Sequence, residues 1–302
     1  MLHCRQRGSE RNMKRFAKLA LLLATIIWGS SFIIMKNAVD QIPTPYLLGI
    51  RFSVAAVLLA VIFAKHLNKI NKEYIWQSAV IGLCLYLAYF VQTLGLARTT
   101  PGKNAFLTAV YCIIVPFLYW IVDRKRPGKS NVVAAFLCVA GIGLVSLTSG
   151  LTMGLGDALT LLGGFFYAAH IVVVAKFGKD KDMFVVTTLQ FAYCALYAGI
   201  TALILHPQMN LVVSSSLWIE LAYLAVACTA VALLLQNLGQ KYTHPSSASL
   251  ILSLESVFGV IFSVLFYDEK LTIRIIAGFA LIFIAIVISE CFSSETKKQK
   301  NT

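Results

Sequence analysis

The chain is poor in charge. Of its 302 residues, 13% are Asp, Glu, Lys or Arg, half the fraction usual in a soluble domain. Acidic residues are scarcest, 13 against 26 Lys and Arg. Hydrophobic residues make up 59%, more apolar surface than a soluble fold can bury. Cysteine pairs at metal or redox spacing are missing. None of Cys4, Cys84, Cys112, Cys138, Cys194, Cys228 and Cys291 forms CxxC, and most lie inside apolar runs as small packing residues. HExxH, GxSxG, Walker A and GxGxxG before a βαβ unit are all absent. His3, His66, His170, His206 and His244 supply no catalytic constellation. These absences argue against an enzyme, a resident metal or cofactor, and direct ATP drive. Long polar stretches are lacking too, so no soluble domain is expected.

What is present is apolar runs of spanning length. A bilayer-crossing helix needs about 20 mostly apolar residues. Ten such stretches run roughly over 17–37, 45–64, 75–96, 103–122, 130–148, 156–176, 184–205, 217–240, 246–266 and 272–290. The fold class expected is an all-α integral membrane protein. The first run follows a basic N-terminus as a signal peptide's would. It is too long and lacks a small-x-small cleavage pattern, so it reads as an uncleaved first helix. The net charge of +13 sits mainly in short runs between these stretches. It therefore reports topology, and no nucleic-acid partner is expected. With the N-terminus inside, inner connections hold 20 Lys and Arg and outer ones five. That bias predicts both termini in the cytoplasm.

The two halves repeat. QTLGLARTTP (92–101) matches QNLGQKYTHP (236–245) at five of ten positions, at an offset of 144. GIRF (49–52) aligns with TLQF (188–191) at an offset of 139, which sets Trp28 opposite Tyr167. Five spans per half is odd, so the second half enters the membrane inverted. The expected organisation is a cytoplasmic segment 1–16, a first five-helix repeat 17–148, an inverted second repeat 156–290, and a cytoplasmic tail 291–302. Transporters use inverted repeats to build two states, open to opposite sides, around a midplane site. Duplication giving a helical scaffold without a path is the competing explanation.

WGSSF (28–32), RF (51–52), QTLGLARTTPGKNAFLT (92–108) and SASLILSLESVFGVIF (247–262) occur in an order that resembles the EamA-type family of the drug/metabolite transporter superfamily. The resemblance covers nearly the whole chain. It implies a ten-helix inverted-repeat transporter, commonly an exporter of amino acids, other small metabolites or toxic compounds. It also implies a central cavity lined mainly by spans three, four, eight and nine, with one and six contributing. The family often carries proline after the glutamate of span nine. Ser256 stands there in this chain, which predicts a less kinked span nine, whereas span four keeps Pro116.

Helical rise converts position into depth. Glu255 falls at the midplane of span nine, and its repeat counterpart Tyr111 at the midplane of span four. Trp28 and Tyr167 reach a similar level. One carboxylate and three amphipathic aromatics suit a small organic substrate. An ionised carboxylate facing lipid costs about 2.5–3.5 kcal/mol on insertion scales, so Glu255 should face the interior. It is a candidate for proton coupling or for binding a substrate amine; a carboxyl tying two helices is the structural alternative. Arg51, in span two, either contacts an anionic group, snorkels to the outer interface or makes a structural pairing within the bundle; its counterpart is Gln190. Gln92 and Gln236, near the ends of spans three and eight, suit either gates or interhelical bonds. Asn104 stands at the mouth of span four, and His170 lies toward the inner face of span six. Gly141, Gly143, Gly163, Gly164 and Gly278 read as close-packing positions.

The expected partners are therefore a small-molecule substrate, the lipid bilayer and, through Glu255, protons; a monomer and a homodimer both remain open. A passive channel or facilitator could use the same cavity, and a membrane sensor without transport is the third reading.

Overall fold

The computed structural model describes residues 2–124, 126–146, 153–205 and 214–298. Among these the chain is overwhelmingly helical. In order come α1 (Leu2–Val39), α2 (Thr44–Ile62), a short 3-10 turn (Ala64–Lys69) and α3 (Lys72–Leu96). Then follow α4 in two pieces, α4a (Pro101–Thr108) and α4b (Tyr111–Asp123), and α5 (Lys129–Ser146). The second half has α6 (Leu155–Phe177), α7 (Met183–Leu205), and α8 (Ser215–Ala225 and Ala232–Lys241, joined by a π-helical turn over Val226–Val231). It ends with α9a (Pro245–Ser253), α9b (Glu255–Phe266) and α10 (Ile273–Lys298).

Eight of these units are long and apolar enough to cross a membrane, counting the broken helices as single spans. The remaining expected spans, α5 and α10, are apolar over the shorter stretches Lys129–Val145 and Ile273–Ile288. The outer faces of the bundle present Val61 (α2), Phe136 and Val139 (α5), Ile204 (α7) and Ile219 (α8) to the surroundings. Such faces suit hydrocarbon, and helices satisfy their own backbone hydrogen bonds there. Proline marks the helix starts, as the missing N–H at a first turn costs nothing. Pro101 and Pro245 open α4a and α9a behind the capping residues Thr100 and His244.

Helix pairings keep their pattern when the halves are exchanged. α1 packs on α8 and α9b, while α6 packs on α3 and α4b. α2 lies against α7, and α5 against α10. α4a contacts α9b as α4b contacts α9a. Glycine permits the closest crossings. A Cβ at Gly141 would fall 2.9 Å from the Gly278 carbonyl oxygen, and one at Gly278 equally close to that of Gly141. Gly163 is pressed against the backbone of Gln92. The five described cysteine side chains are free thiols, four of them buried; those of Cys4 and Cys291 lie outside the described side chains.

The tightest approach explains the glycine of WGSSF. A Cβ at Gly29 would stand 2.3 Å from the Phe258 Cβ and 3.1 Å from its carbonyl carbon. Gly29→Ala should therefore force α1 and α9b apart. Overpacking of this kind typically costs about 1–3 kcal/mol. The melting temperature in detergent should fall accordingly, with correct membrane insertion retained. A melting temperature equal to that of the native protein would refute the close contact.

Both α4 and α9 break in mid-helix, and at matching positions. Tyr111 begins α4b and Glu255 begins α9b, one repeat offset apart. The expectation of a less kinked α9 is thus corrected. The break forms without proline because local bonds tighten to the i−3 pattern. Leu254 N–H donates to the Ile251 carbonyl at 3.2 Å, and Val257 N–H to that of Leu254 at 3.1 Å. The hydroxyls of Ser253 and Ser256 donate to carbonyls three residues back, both at 2.7 Å. Serine bonding back to its own helix competes with the regular ladder and bends it. In α4 similar i−3 bonds at Val110, Cys112 and Ile113 precede Pro116.

Candidate functional site

The two helix breaks face a cavity in the middle of the bundle. Only about 30 Å³ of it admits the centre of a water-sized sphere. It is therefore a narrow crevice with room for a few waters. α1 contributes Trp28, Ser31 and Met35; α3 contributes Tyr89, Gln92 and Thr93. Tyr111, Tyr167 and Glu255 line it as well, as do Gln236 and Leu252.

Arg51 also lines this cavity, and here the snorkelling alternative fails. The residue is only 1% exposed. Its side chain turns inward toward α8, whose π-helical turn presents Cys228 and Thr229. Nε donates to the Thr229 hydroxyl, and Nη2 lies 3.4 Å from the Cys228 carbonyl oxygen. Nη1 approaches the Met35 sulfur at 3.3 Å, and Nη2 the Tyr89 hydroxyl at 3.5 Å. The guanidinium carbon sits 4.6 Å from the centre of the Tyr89 ring, a cation–π contact. None of these partners is a carboxylate. Among the described residues, no ion pair involves Arg51.

Trp28 shares the same anchor, donating from Nε1 to the Cys228 carbonyl at 2.8 Å. The rest of WGSSF serves the site as well. Ser30 bonds the Tyr223 hydroxyl at 2.7 Å, Ser31 lines the cavity, and Phe32 packs against Gly259. A string of rings runs from Phe52, behind the lining, to Tyr89, Tyr167 and Tyr111, which line the cavity. Phe52 meets Tyr89 edge-on at 5.4 Å, Tyr89 meets Tyr167 at 5.4 Å, and Tyr167 meets Tyr111 at 6.2 Å.

Glu255 is 6% exposed, at the first turn of α9b, where the helix dipole favours negative charge. The Tyr111 side chain lies beside it, within electrostatic reach across the two helix breaks. Tyr89 and Tyr167 lie within electrostatic reach of both Glu255 and Arg51. A positive and a negative side chain thus border one internal crevice lined by aromatic side chains.

Gln92 and Gln236 approach from opposite ends of the bundle, and both reach the cavity. Gln92 donates to the Thr108 hydroxyl and accepts from the Tyr167 hydroxyl, each at 2.9 Å. Asn104 differs from its expected place at the mouth of span four. It is wholly buried, off the cavity lining, donating to the Thr160 hydroxyl at 2.7 Å and the Gln92 carbonyl at 3.3 Å. It holds α3, α4a and α6 together.

Clusters of polar groups close each end of the bundle. At one, Lys103 pairs with Asp157 at 2.7 Å, and Thr99 donates to the same carboxylate at 2.9 Å. Glu269 there accepts from the Thr100 and Ser263 hydroxyls and from the Gly102 N–H at 2.8 Å. Lys36 donates to the carbonyls of Leu96 and Ala97, both at 3.1 Å. At the other end, Asp182 holds Lys69 at 2.5 Å and His66 at 2.8 Å. Lys241 donates to the Lys181 carbonyl at 2.8 Å. Partial burial works to raise the Asp182 pKa, but the bonds from Lys69 and His66 outweigh it and hold the carboxyl below its usual range. Asp157, Glu269 and Asp182 carry no recognisable motif; only the folded helix ends reveal their roles.

An apolar-faced helical bundle with charged groups around an internal cavity is a multi-pass membrane protein of the transporter class. The sequence profile of the EamA-like transporter family matches residues 15–147 and again residues 154–290. The chain belongs to that family. It is 31% identical to an uncharacterized transporter of Archaeoglobus fulgidus, over 94% of this chain and 89% of that one. It is 22% identical to the uncharacterized transporter YvbV of Bacillus subtilis, over 95% and 96% of the two chains. Protein PecM of Dickeya dadantii is 24% identical, over 92% and 93%. One crystal structure superposes with a TM-score of 0.67 at 15% identity, covering 93% of this chain and 98% of its own. That likeness concerns the fold alone.

Proposed function

We propose that the protein is a secondary transporter of the cytoplasmic membrane that exports a small zwitterionic solute of the amino-acid kind. It works by alternating access around the cavity between Arg51 and Glu255. The observation that carries this reading is the opposite charge of those two side chains on one narrow crevice lined by aromatic side chains. A buried guanidinium without a carboxylate partner favours an anion, and Arg matches carboxylate geometry with two parallel donors. Glu255 offers the complementary site for an ammonium group, and the rings provide flat apolar walls. A purely cationic drug would meet repulsion from Arg51, so amines without a carboxylate fit less well. Export as the direction rests on the family resemblance, and cytoplasmic termini on the bias of Lys and Arg.

The narrowness of the cavity favours alternating access over a passive channel. A crevice with about 30 Å³ of water-sized space must widen before a solute enters. The test uses purified protein in proteoliposomes preloaded with unlabelled amino acids. The expected result is saturable uptake of labelled amino acid, accelerated by the internal load. Linear, non-saturating flux without counterflow would replace this reading with a channel.

A further inference from the structure

The cavity described above has an image in the second half of the chain. The repeat offsets carry Ser31 to His170, Arg51 to Gln190, Thr93 to Asn237 and Leu96 to Gln240. All four first-half residues line the cavity. All four second-half residues are buried, and none lines it. Yet each carries unmatched polar atoms. His170 Nδ1, Gln190 Nε2, Asn237 Oδ1 and both amide atoms of Gln240 have no hydrogen-bond partner. Those are five of the ten such buried atoms among the described residues.

The four residues form a connected region between α6, α7 and α8. His170 Nε2 stands 3.3 Å from Gln190 Oε1, and Asn237 donates to Thr187, one turn from Gln190, at 2.9 Å. On α8, Gln236 lines the cavity, Gln240 lies one turn further along, and Lys241 belongs to the end cluster with Lys181 and Asp182. The unmatched atoms therefore extend from the cavity to the Asp182 end. A residue serving only as packing at these depths would be better apolar, since each unmade bond carries a desolvation penalty. Polar side chains here gain their partners only in an arrangement that admits water or solute. The repeat relation supplies that arrangement, with the second half taking the conformation the first half has now.

We propose that His170, Gln190, Asn237 and Gln240 line a second access port, closed in this structure, that joins the Arg51–Glu255 cavity to the Asp182 end of the bundle. The port takes water and the same polar solute as the cavity. This rests on the alternating-access part of the function proposed above, though not on the identity of the solute. The latch that holds the port shut is the cluster of Asp182 with Lys69 and His66 together with the neighbouring Lys241 bond to the Lys181 carbonyl, which ties α8 to the turn between α6 and α7.

Cysteine accessibility tests it without any solute. Asn237→Cys, Gln240→Cys and, in the cavity, Thr93→Cys are each made in the full-length protein, with and without Asp182→Asn. Lys241→Met serves as a second unlatching change should Asp182→Asn reduce insertion. Labelling by a membrane-impermeant methanethiosulfonate is timed in vesicles open to the reagent on both sides. The protein without an introduced cysteine provides the baseline. Losing one ion-pair latch should shift the conformational balance by about fivefold. Labelling at 237 and 240 should therefore quicken by that factor while labelling at 93 slows. No gain at 237 and 240 in either unlatched protein overturns the proposal. An equal gain at all three positions overturns it too, since that is general loosening. Because no solute is present, an error in the zwitterion assignment leaves these rates unaffected.

Discussion

Arg51→Met is expected to abolish transport while leaving the protein folded. Methionine occupies a similar length without charge, and replacing a buried ionic group by a well-packed apolar one is often neutral or stabilising. Here the guanidinium has a hydroxyl, a carbonyl, a sulfur and a ring as partners, and no carboxylate among the described residues. Its burial is thus incompletely compensated. The melting temperature of Arg51→Met should equal or exceed that of the native protein. Transport efficiency for a zwitterion should fall about 100-fold or more, the range expected when a buried charge loses its partner. Arg51→Lys keeps the charge but loses the forked geometry, so it should fall between the two. The reading predicts that the loss appears mainly as weaker apparent affinity at low solute concentration. A stabilised Arg51→Met protein that still transports zwitterions normally would show the guanidinium to be structural. A destabilised and inactive protein would leave Arg51→Lys as the deciding variant, since a structural cation would be satisfied by lysine.

Much of the bundle was legible from composition and spacing. Apolar runs of spanning length have few alternatives, and most of the described helices fall within a few residues of the expected ones. α1, which already begins at Leu2, and α10, which continues to Lys298, extend well into the segments expected as cytoplasmic ends, where charge ends the apolar run but not the helix. The equivalence of Tyr111 and Glu255 was also readable, from the offset of 144 between the halves. Side-chain direction was not. Whether Arg51 reaches toward an interface or inward depends on what the neighbouring helix offers. The π-helical turn at Val226–Val231 offers Thr229 and the Cys228 carbonyl. No residue in VACTAV announces such a turn. Ser256 misled for a related reason, since serine has two ways to treat a helix. It can project outward, or it can bond back to a carbonyl three residues earlier, as it does here at 2.7 Å. Asn104 was placed by its distance from a helix start, which measures depth but not azimuth. Its direction toward Thr160 follows from the close approach of α3 and α6, where a Cβ on Gly95 would come 2.5 Å from that hydroxyl.

The same reasoning fixes what Glu255→Gln should do. A glutamine keeps the shape of the side chain, and the break is held by backbone and serine bonds rather than by the carboxyl, so the helix break and its packing should survive. What it removes is the one ionisable carboxyl on the cavity lining. If Glu255 carries the coupled proton, the variant should lose acceleration by an imposed pH gradient and show a flat dependence of transport on pH. Its solute exchange without a gradient should persist, because exchange needs no net proton movement. If Glu255 instead binds the ammonium group, exchange itself should weaken, by about tenfold or more for the loss of one charge-assisted hydrogen bond. Combining the variants separates the roles further. Two groups that hold one solute should be non-additive, so Arg51→Met with Glu255→Gln should cost little more than either alone. Independent losses that add would place the carboxyl in proton transfer. A Glu255→Gln protein with native exchange, native response to the gradient and a native pH profile would reduce the residue to a tie between α4b and α9b. The pseudo-symmetry sharpens that contrast. Tyr111 occupies the matching break without any charge, so a helix break of this kind does not by itself require a carboxylate.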